Sequence, residues 1–112
     1  TLNELYIRLG RHFPTMRMSE INHVFDANQT SYFTQMGGDG TQAWSREMRA
    51  SVAAIGRDAP SFASFTLPGS DHCVTPSDDF YDARVGDVRL VDWVAKLLRQ
   101  KVASATCVGK DC

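Results

Sequence analysis

The chain has 112 residues, which is the usual size of one domain. Its hydrophobic share of 43% and charged share of 22% are ordinary for a globular protein. The net charge of -1 argues against an electrostatic nucleic-acid binder, since such a protein needs a basic face. We therefore expect no nucleic-acid partner. No stretch resembles a transmembrane helix or a signal peptide, and we expect no membrane partner either.

The first part of the chain predicts a helix and then a strand. Apolar residues recur every three or four positions from Thr1 to Phe13, as in an amphipathic helix, and Thr1 with Glu4 fits a capping box. A short strand is predicted over residues 17–22. Asp26 opens the polar break that follows this strand, where an aspartate is usually a turn or N-cap residue.

The middle of the chain predicts a second helix and a buried strand. The helix runs from Thr41 to about Gly56 and places its apolar residues on one side. The strand covers Phe62 to Leu67 and ends in a sharp break at Pro68-Gly69. His72 follows at once, which is how a sheet enzyme delivers a general base to the carboxyl edge of its sheet.

The last part of the chain predicts a third helix from Val88 to about Val102, with Asp87 as its N-cap. A continuous apolar stripe supports this helix, and Trp93 beside the stripe is expected in the core. Residues 103–112 are expected to form an irregular tail.

The alternation of helices and strands favours an α/β fold, in which helices cover a parallel sheet. Two strands cannot form an independent sheet of this class, because the crossovers would leave both edges open. We therefore expect residues 1–112 to be a single piece of a larger domain, with partner strands elsewhere.

The three cysteines leave two interpretations open. Cys107 and Cys112 bracket Val-Gly-Lys-Asp, a spacing that can close a small disulfide ring, or they are free thiols in a frayed tail. A zinc site is disfavoured because no second Cys/His pair lies near in sequence. Cys73 is left over, and its partner could lie outside this chain.

Asp26 and His72, each placed after a strand, match two parts of an acyl-transfer triad. In such a triad a hydroxyl attacks, an imidazole takes its proton, and a carboxylate orients the imidazole. In α/β-hydrolases the order along the chain is nucleophile, acid, histidine. The nucleophile motif G-x-S-x-G is absent from this sequence, and Ser70 and Cys73 lie too close to His72 to take that role easily.

Two runs of sequence resemble a known family. Leu67–Val74 (LPGSDHCV) and Phe80–Leu98 (FYDARVGDVRLVDWVAKLL) resemble the end of pectin acetylesterase-like enzymes, also described as Notum-like serine carboxylesterases. The region from Phe13-Pro14 through Phe25-Asp26 to Tyr32-Phe33 resembles the acid region of the same family. The resemblance extends over the chain to about Gln100.

The resemblance implies an α/β-hydrolase-like fold, with Asp26 as the orienting acid and His72 as the general base of a Ser-Asp-His triad. It implies a secreted, disulfide-rich enzyme that removes acyl groups from carbohydrate, as in pectin deacetylation, without a metal or other cofactor. Animal relatives remove a fatty acyl group from a signalling protein. The family's nucleophile segment and oxyanion hole lie upstream, so the partners expected are an acylated carbohydrate or other ester and the remainder of the hydrolase domain.

Two other functions stay open. In the first, the chain is a non-catalytic interaction domain or a degenerate domain that retains only the fold. In the second, a metal-dependent hydrolase uses Asp26, Asp71 and His72, although no ligand pair has a helical or hairpin metal spacing.

Overall fold

A computed structural model describes residues 1–112 apart from the side chain of Asp111. The helices and strands follow one another in the order α1 (Leu2–His12), β1 (Met18–His23), α2 (Ala27–Gln35), α3 (Gly40–Asp58), β2 (Phe62–Leu67), β3 (Arg84–Val85), β4 (Val88–Arg89), α4 (Leu90–Leu97) and β5 (Ala105–Thr106). Two short 3₁₀ turns lie at Asp78–Tyr81 and Gly109–Asp111.

The main sheet has three parallel strands in the order β1-β2-β5. β1 and β2 pair along their whole length, from Met18 opposite Phe62 to His23 opposite Leu67. The mixed α/β class, with a parallel sheet and flanking helices, is confirmed. Its finer likeness to an α/β-hydrolase stays a prediction.

The central strand β2 separates two hydrophobic clusters. Every residue of β2 is buried, as expected of a parallel strand with both faces covered. The cluster on one face joins β1 and β2 to α3, and Tyr6 and Leu9 of α1 pack against it; its buried members are Met18, Met48, Val52, Ile55, Ala59 and Phe62. The cluster on the other face joins β2 to α4, and its buried members are Ala63, Phe65, Leu67, Val74, Leu90 and Trp93.

Side-chain caps mark the starts of α1 and α2. The capping box of α1 is confirmed, since the Thr1 hydroxyl accepts from the Glu4 N–H and the Glu4 side chain accepts from the Thr1 backbone. α2 was not predicted, because it has no apolar stripe and no fully buried residue. Asp26 caps it by accepting from the N–H of Gln29 at 2.8 Å, which satisfies one donor of its first turn.

The predicted last helix is wrong at both ends. Asp87 is not its N-cap: with Gly86 it forms the two-residue turn of the antiparallel β3–β4 hairpin, and Gly86 supplies the positive φ of 55°. α4 begins at Leu90 instead. It ends at Leu97, where the Arg17 guanidinium donates to the carbonyl of Leu98 at 2.7 Å.

The tail expected to be irregular over residues 103–112 is partly ordered. Ala105–Thr106 pairs with β2 as the third strand, so the chain supplies one of the partner strands that the sequence does not reveal. The placement of Trp93 in the core is confirmed: it is 4% exposed, its ring lies 5.3 Å from that of Phe65, and its indole N–H donates to the Ala103 carbonyl. Among the residues that the structure describes, no helix combines the length and the apolar character needed to cross a bilayer.

Candidate acid–histidine site

The parallel pairing of β1 and β2 brings Asp26 and His72 to the same edge of the sheet. Both residues follow the carboxyl end of their strand, and the two strands are neighbours. Binding and catalytic groups of open parallel sheets lie at this end. The topology therefore places the two predicted residues within reach of one another before any side-chain contact is considered.

The backbone pairing continues past the strand ends into both loops. The N–H of Val24 donates to the Leu67 carbonyl at 2.8 Å, that of Phe25 to Gly69 at 3.1 Å, and that of Ala27 to Ser70 at 2.9 Å. The positive φ of 91° at Gly69 is one that glycine adopts without strain, and it lets the chain turn here. The loop before His72 is thus fastened to residues on both sides of Asp26.

Asp26 is 4% exposed, and its carboxylate accepts two hydrogen bonds. Oδ1 accepts from the N–H of Gln29, and Oδ2 lies 2.8 Å from Nδ1 of His72. An ionised carboxylate can only accept, so Nδ1 of His72 carries the shared proton, and Nε2 is the free lone pair of the neutral ring. The predicted contact between these side chains is confirmed, and their catalytic role stays a prediction.

This arrangement suits a general base. Among the described residues nothing forms a hydrogen bond with His72 Nε2, and the side chain is 36% exposed. A neutral imidazole in this tautomer can accept a proton at Nε2, and the buried carboxylate then stabilises the resulting positive charge.

Two surface clefts meet at His72. The larger, of about 580 Å³, lies toward the loop after His72 and is lined by charged and polar side chains that include His23, Asp71, Asp79, Asp82 and Arg84. The smaller, of about 310 Å³, is lined by residues of β1, among them Ser19 and Ile21, together with Asp26 and His72. Cys73 lines both clefts.

The residues that compete with the predicted pair do not join it. Asp71, the carboxylate next to His72 in sequence, is exposed, and His72 bonds Asp26 instead. Ser70 is exposed. Cys73 is an exposed free thiol at a positive φ of 60°.

The sequence favours a structural role for His23, and the structure places it at the larger cleft. His23 is 7% exposed, ends β1 and lines the larger cleft.

The remaining chemical features concern sulfur and metals. Cys107 and Cys112 form the disulfide that was one of the two interpretations of their spacing. The described residues contain no group of three or more His, Cys, Asp or Glu side chains placed to hold a metal ion.

Comparison with known proteins identifies no relative. No protein-family profile, no curated protein and no solved structure matches this chain. The resemblance to pectin acetylesterase-like enzymes therefore stays a prediction.

Proposed function

We propose that this chain supplies the acid and the base of the Ser-Asp-His triad of a carboxylic-ester hydrolase. The observation that carries the proposal is the 2.8 Å contact between His72 Nδ1 and Asp26 Oδ2 at the carboxyl ends of two adjacent parallel strands. The same contact fixes the tautomer that a general base requires.

In the proposed reaction, Nε2 of His72 takes the proton of a serine hydroxyl as its oxygen attacks the ester carbonyl. Asp26 keeps the ring oriented and stabilises the imidazolium. The imidazolium then gives its proton to the leaving alcohol oxygen. In the second half-reaction His72 deprotonates a water molecule as its oxygen attacks the acyl carbonyl, and the imidazolium returns the proton to the serine oxygen as the carboxylic acid leaves.

The nucleophile and the oxyanion-hole donors are proposed to come from a segment outside these 112 residues. Two observations support this. His72 Nε2 has no hydroxyl partner among the described residues, and β1 has an unpaired edge beside the smaller cleft. A strand added parallel to that edge would carry its own carboxyl end to the side of the sheet where Asp26 and His72 lie.

The substrate class proposed is an acylated carbohydrate, as the sequence resemblance implies. Secretion is proposed on the same basis. It is supported by the Cys107–Cys112 disulfide, since disulfides persist in oxidising compartments.

The test is active-site labelling of the longest natural polypeptide that contains these residues. A fluorophosphonate probe reacts only with a serine activated by a base, and peptide mass spectrometry locates the labelled residue. We expect one labelled serine outside residues 1–112 and loss of labelling in His72→Ala. The matched control is His12→Ala, which removes an exposed imidazole from the end of α1.

Hydrolysis of acetylated oligosaccharides by the same protein tests the substrate class. Unchanged labelling in His72→Ala, with the protein folded, would overturn the triad and favour a non-catalytic domain. Labelling without hydrolysis of any acetylated sugar would keep the triad and reject the proposed substrate.

A further inference from the structure

The disulfide-closed segment Cys107–Cys112 is fastened to the central strand and to the turn that follows it. The N–H of Cys107 donates to the Thr66 carbonyl at 3.0 Å, which extends the pairing of β2 with β5. At the other end of the segment the Cys112 carbonyl accepts from the N–H of Gly69 at 3.2 Å. The ring thus bridges the last part of β2 and the turn leading to His72.

Helix α3 holds this ring from its other side through one guanidinium. Arg49 donates from Nη1 to the Cys107 carbonyl at 3.2 Å. Its Nη2 lies 3.1 Å from Sγ of Cys112 and 3.6 Å from Sγ of Cys107. Because both nitrogens are used, Arg49 fixes the orientation of the ring as well as its position.

The turn that receives the Cys112 carbonyl is the one that holds the acid loop. The Gly69 carbonyl accepts from Phe25, and the Ser70 carbonyl accepts from Ala27. Asp26 lies between these two donors, and His72 follows the same turn. An unbroken series of hydrogen bonds therefore runs from Arg49 through the ring and Gly69 to both sides of Asp26.

We propose that the Cys107–Cys112 ring and Arg49 are positioning elements for the Asp26–His72 pair. The closed ring limits the conformations of the last six residues, so the Cys112 carbonyl stays where Gly69 can donate to it. When the ring is open, β5, the Ser104 hydroxyl and the Cys107 N–H still bond β2, but Cys112 is no longer tied to Cys107, and the turn before His72 loses one of its fastenings. The consequence for catalysis rests on the proposed function, whereas the structural coupling does not.

The coupling is measured by NMR on this chain in the double variant Cys107→Ser/Cys112→Ser and in Arg49→Gln. Hydrogen exchange at the amides of Gly69, Phe25 and Ala27 should become faster by roughly tenfold, about the effect of one hydrogen bond. The His72 Nδ1–H signal should broaden or weaken in both variants. The amide of Phe13, which donates to Leu9 at the end of α1, should exchange at an unchanged rate.

Two controls separate positioning from general stability. Arg57→Gln changes an exposed arginine on the same helix whose guanidinium, among the described residues, hydrogen-bonds only to its neighbour Asp58, and it should leave all these amides unchanged. Arg49→Lys keeps the charge but not the fork of donors, so its exchange rates should fall between those of Arg49→Gln and the parent chain.

Two results would overturn the proposal. One is unchanged exchange at Gly69, Phe25 and Ala27 in both variants. The other is an increase shared equally by Phe13, which would indicate a general loss of stability.

In the larger protein, Arg49→Gln should lower kcat more than it raises KM. If the exchange pattern appears as expected and the larger protein hydrolyses no ester, the positioning holds and the proposed function fails.

Discussion

One oxygen of the Asp26 carboxylate lies 2.8 Å from Nδ1 of His72, while the other accepts from the backbone at the start of α2. The same side chain therefore orients the histidine and caps a helix. The two roles respond differently to substitution, and this difference allows them to be measured separately.

Asp26→Asn should remove the orienting role and keep the cap. Asparagine caps helices as well as aspartate does, so the free energy of unfolding should change little. Its amide group, however, presents a donor where Nδ1 needs an acceptor, which favours the wrong imidazole tautomer. Under the proposed function, kcat for ester hydrolysis by a polypeptide that includes the nucleophile should fall on the order of 10⁴-fold.

Asp26→Ala should lose both roles and lower the free energy of unfolding by a further ~1 kcal/mol in urea titrations. The matched control is Asp39→Asn, the same chemical change at the N-cap of α3, where the side chain makes no cap hydrogen bond. Equal activity losses in Asp26→Asn and Asp39→Asn would contradict the assignment.

The outer edge of β1 should mediate self-association of this chain. Met18 and Val24 donate their N–H groups to the β2 side, at Ser61 and Leu67, so the N–H of Ser19 points away from the sheet. Unpaired strand edges of this kind are templates for pairing with another chain. Sedimentation at increasing concentration should show association that Ser19→Pro reduces, because proline removes the outward donor.

The matched control for this edge is Glu20→Pro. It places proline at the next position, where the N–H faces β2, so it should destabilise the fold. A chain that stays monomeric at all concentrations would contradict the prediction of an open edge.

Thr66→Val should stabilise the protein. Thr66 is fully buried, and its hydroxyl has no hydrogen-bond partner among the described residues. A buried hydroxyl without a partner carries a desolvation penalty of about 1–3 kcal/mol, which an apolar group of the same shape avoids. Urea titrations should show that Thr66→Val raises the free energy of unfolding by about 1 kcal/mol, the lower end of that range.

Thr106→Val is the control for this gain, because Thr106 lies directly opposite on β5 and is exposed. Thr106→Val should change the free energy of unfolding by no more than about 0.5 kcal/mol. A loss of stability in Thr66→Val would indicate that the hydroxyl is bonded in solution.

Stability should fall at alkaline pH through Tyr6. Its ring packs against Phe62 at 5.3 Å, and burial, followed by the nearby Glu20 carboxylate, raises the pKa of the Tyr6 phenol. The raised pKa means that the folded state holds the phenolic proton more tightly than the unfolded state. The contribution to stability is therefore complete below about pH 10 and is lost as the pH rises through the folded-state pKa.

Tyr6→Phe keeps the ring and removes the titration. The difference in unfolding free energy between the parent and Tyr6→Phe should therefore be constant below about pH 10 and decline above it. Glu20→Gln should reduce the decline, since it removes the second cause of the pKa shift. A difference that does not change with pH would contradict this account.

The sequence predicts the elements whose signals are local. The capping box of Thr1 and Glu4 marks the start of α1, and the apolar run between turn residues marks β2 at the bounds that the structure has. α2 lacks an apolar stripe, so its only signal was Asp26 followed by Gln29, which is close to a capping pattern.

The errors arise where pairing between distant residues decides the structure. Residues 86–87 form a hairpin turn because Val85 and Val88 pair, and this pairing overrides the helical apolar stripe that continues into α4. β5 has only two residues, too few for any periodic pattern, and it is a strand because β2 offers it an edge.

The candidate site also combines a feature that local sequence predicts with one that depends on contacts between distant residues. The loop positions of Asp26 and His72 predict a shared edge, because parallel strands bring their carboxyl ends together. The ring that Arg49 holds could not be predicted, since its contacts join α3, the tail and the turn at Gly69, which are distant in sequence.

The complete burial of β2 has a consequence for engineering. In a strand with one solvent-exposed face, positions that tolerate substitution alternate with positions that do not. None of the six residues from Phe62 to Leu67 faces water. Saturation mutagenesis across this strand should therefore show that all six positions reject charged replacements, with no alternation between tolerant and intolerant positions. Libraries intended to reshape the larger cleft are better directed to Ser77 and Asp79, which line it, are exposed and belong to neither cluster.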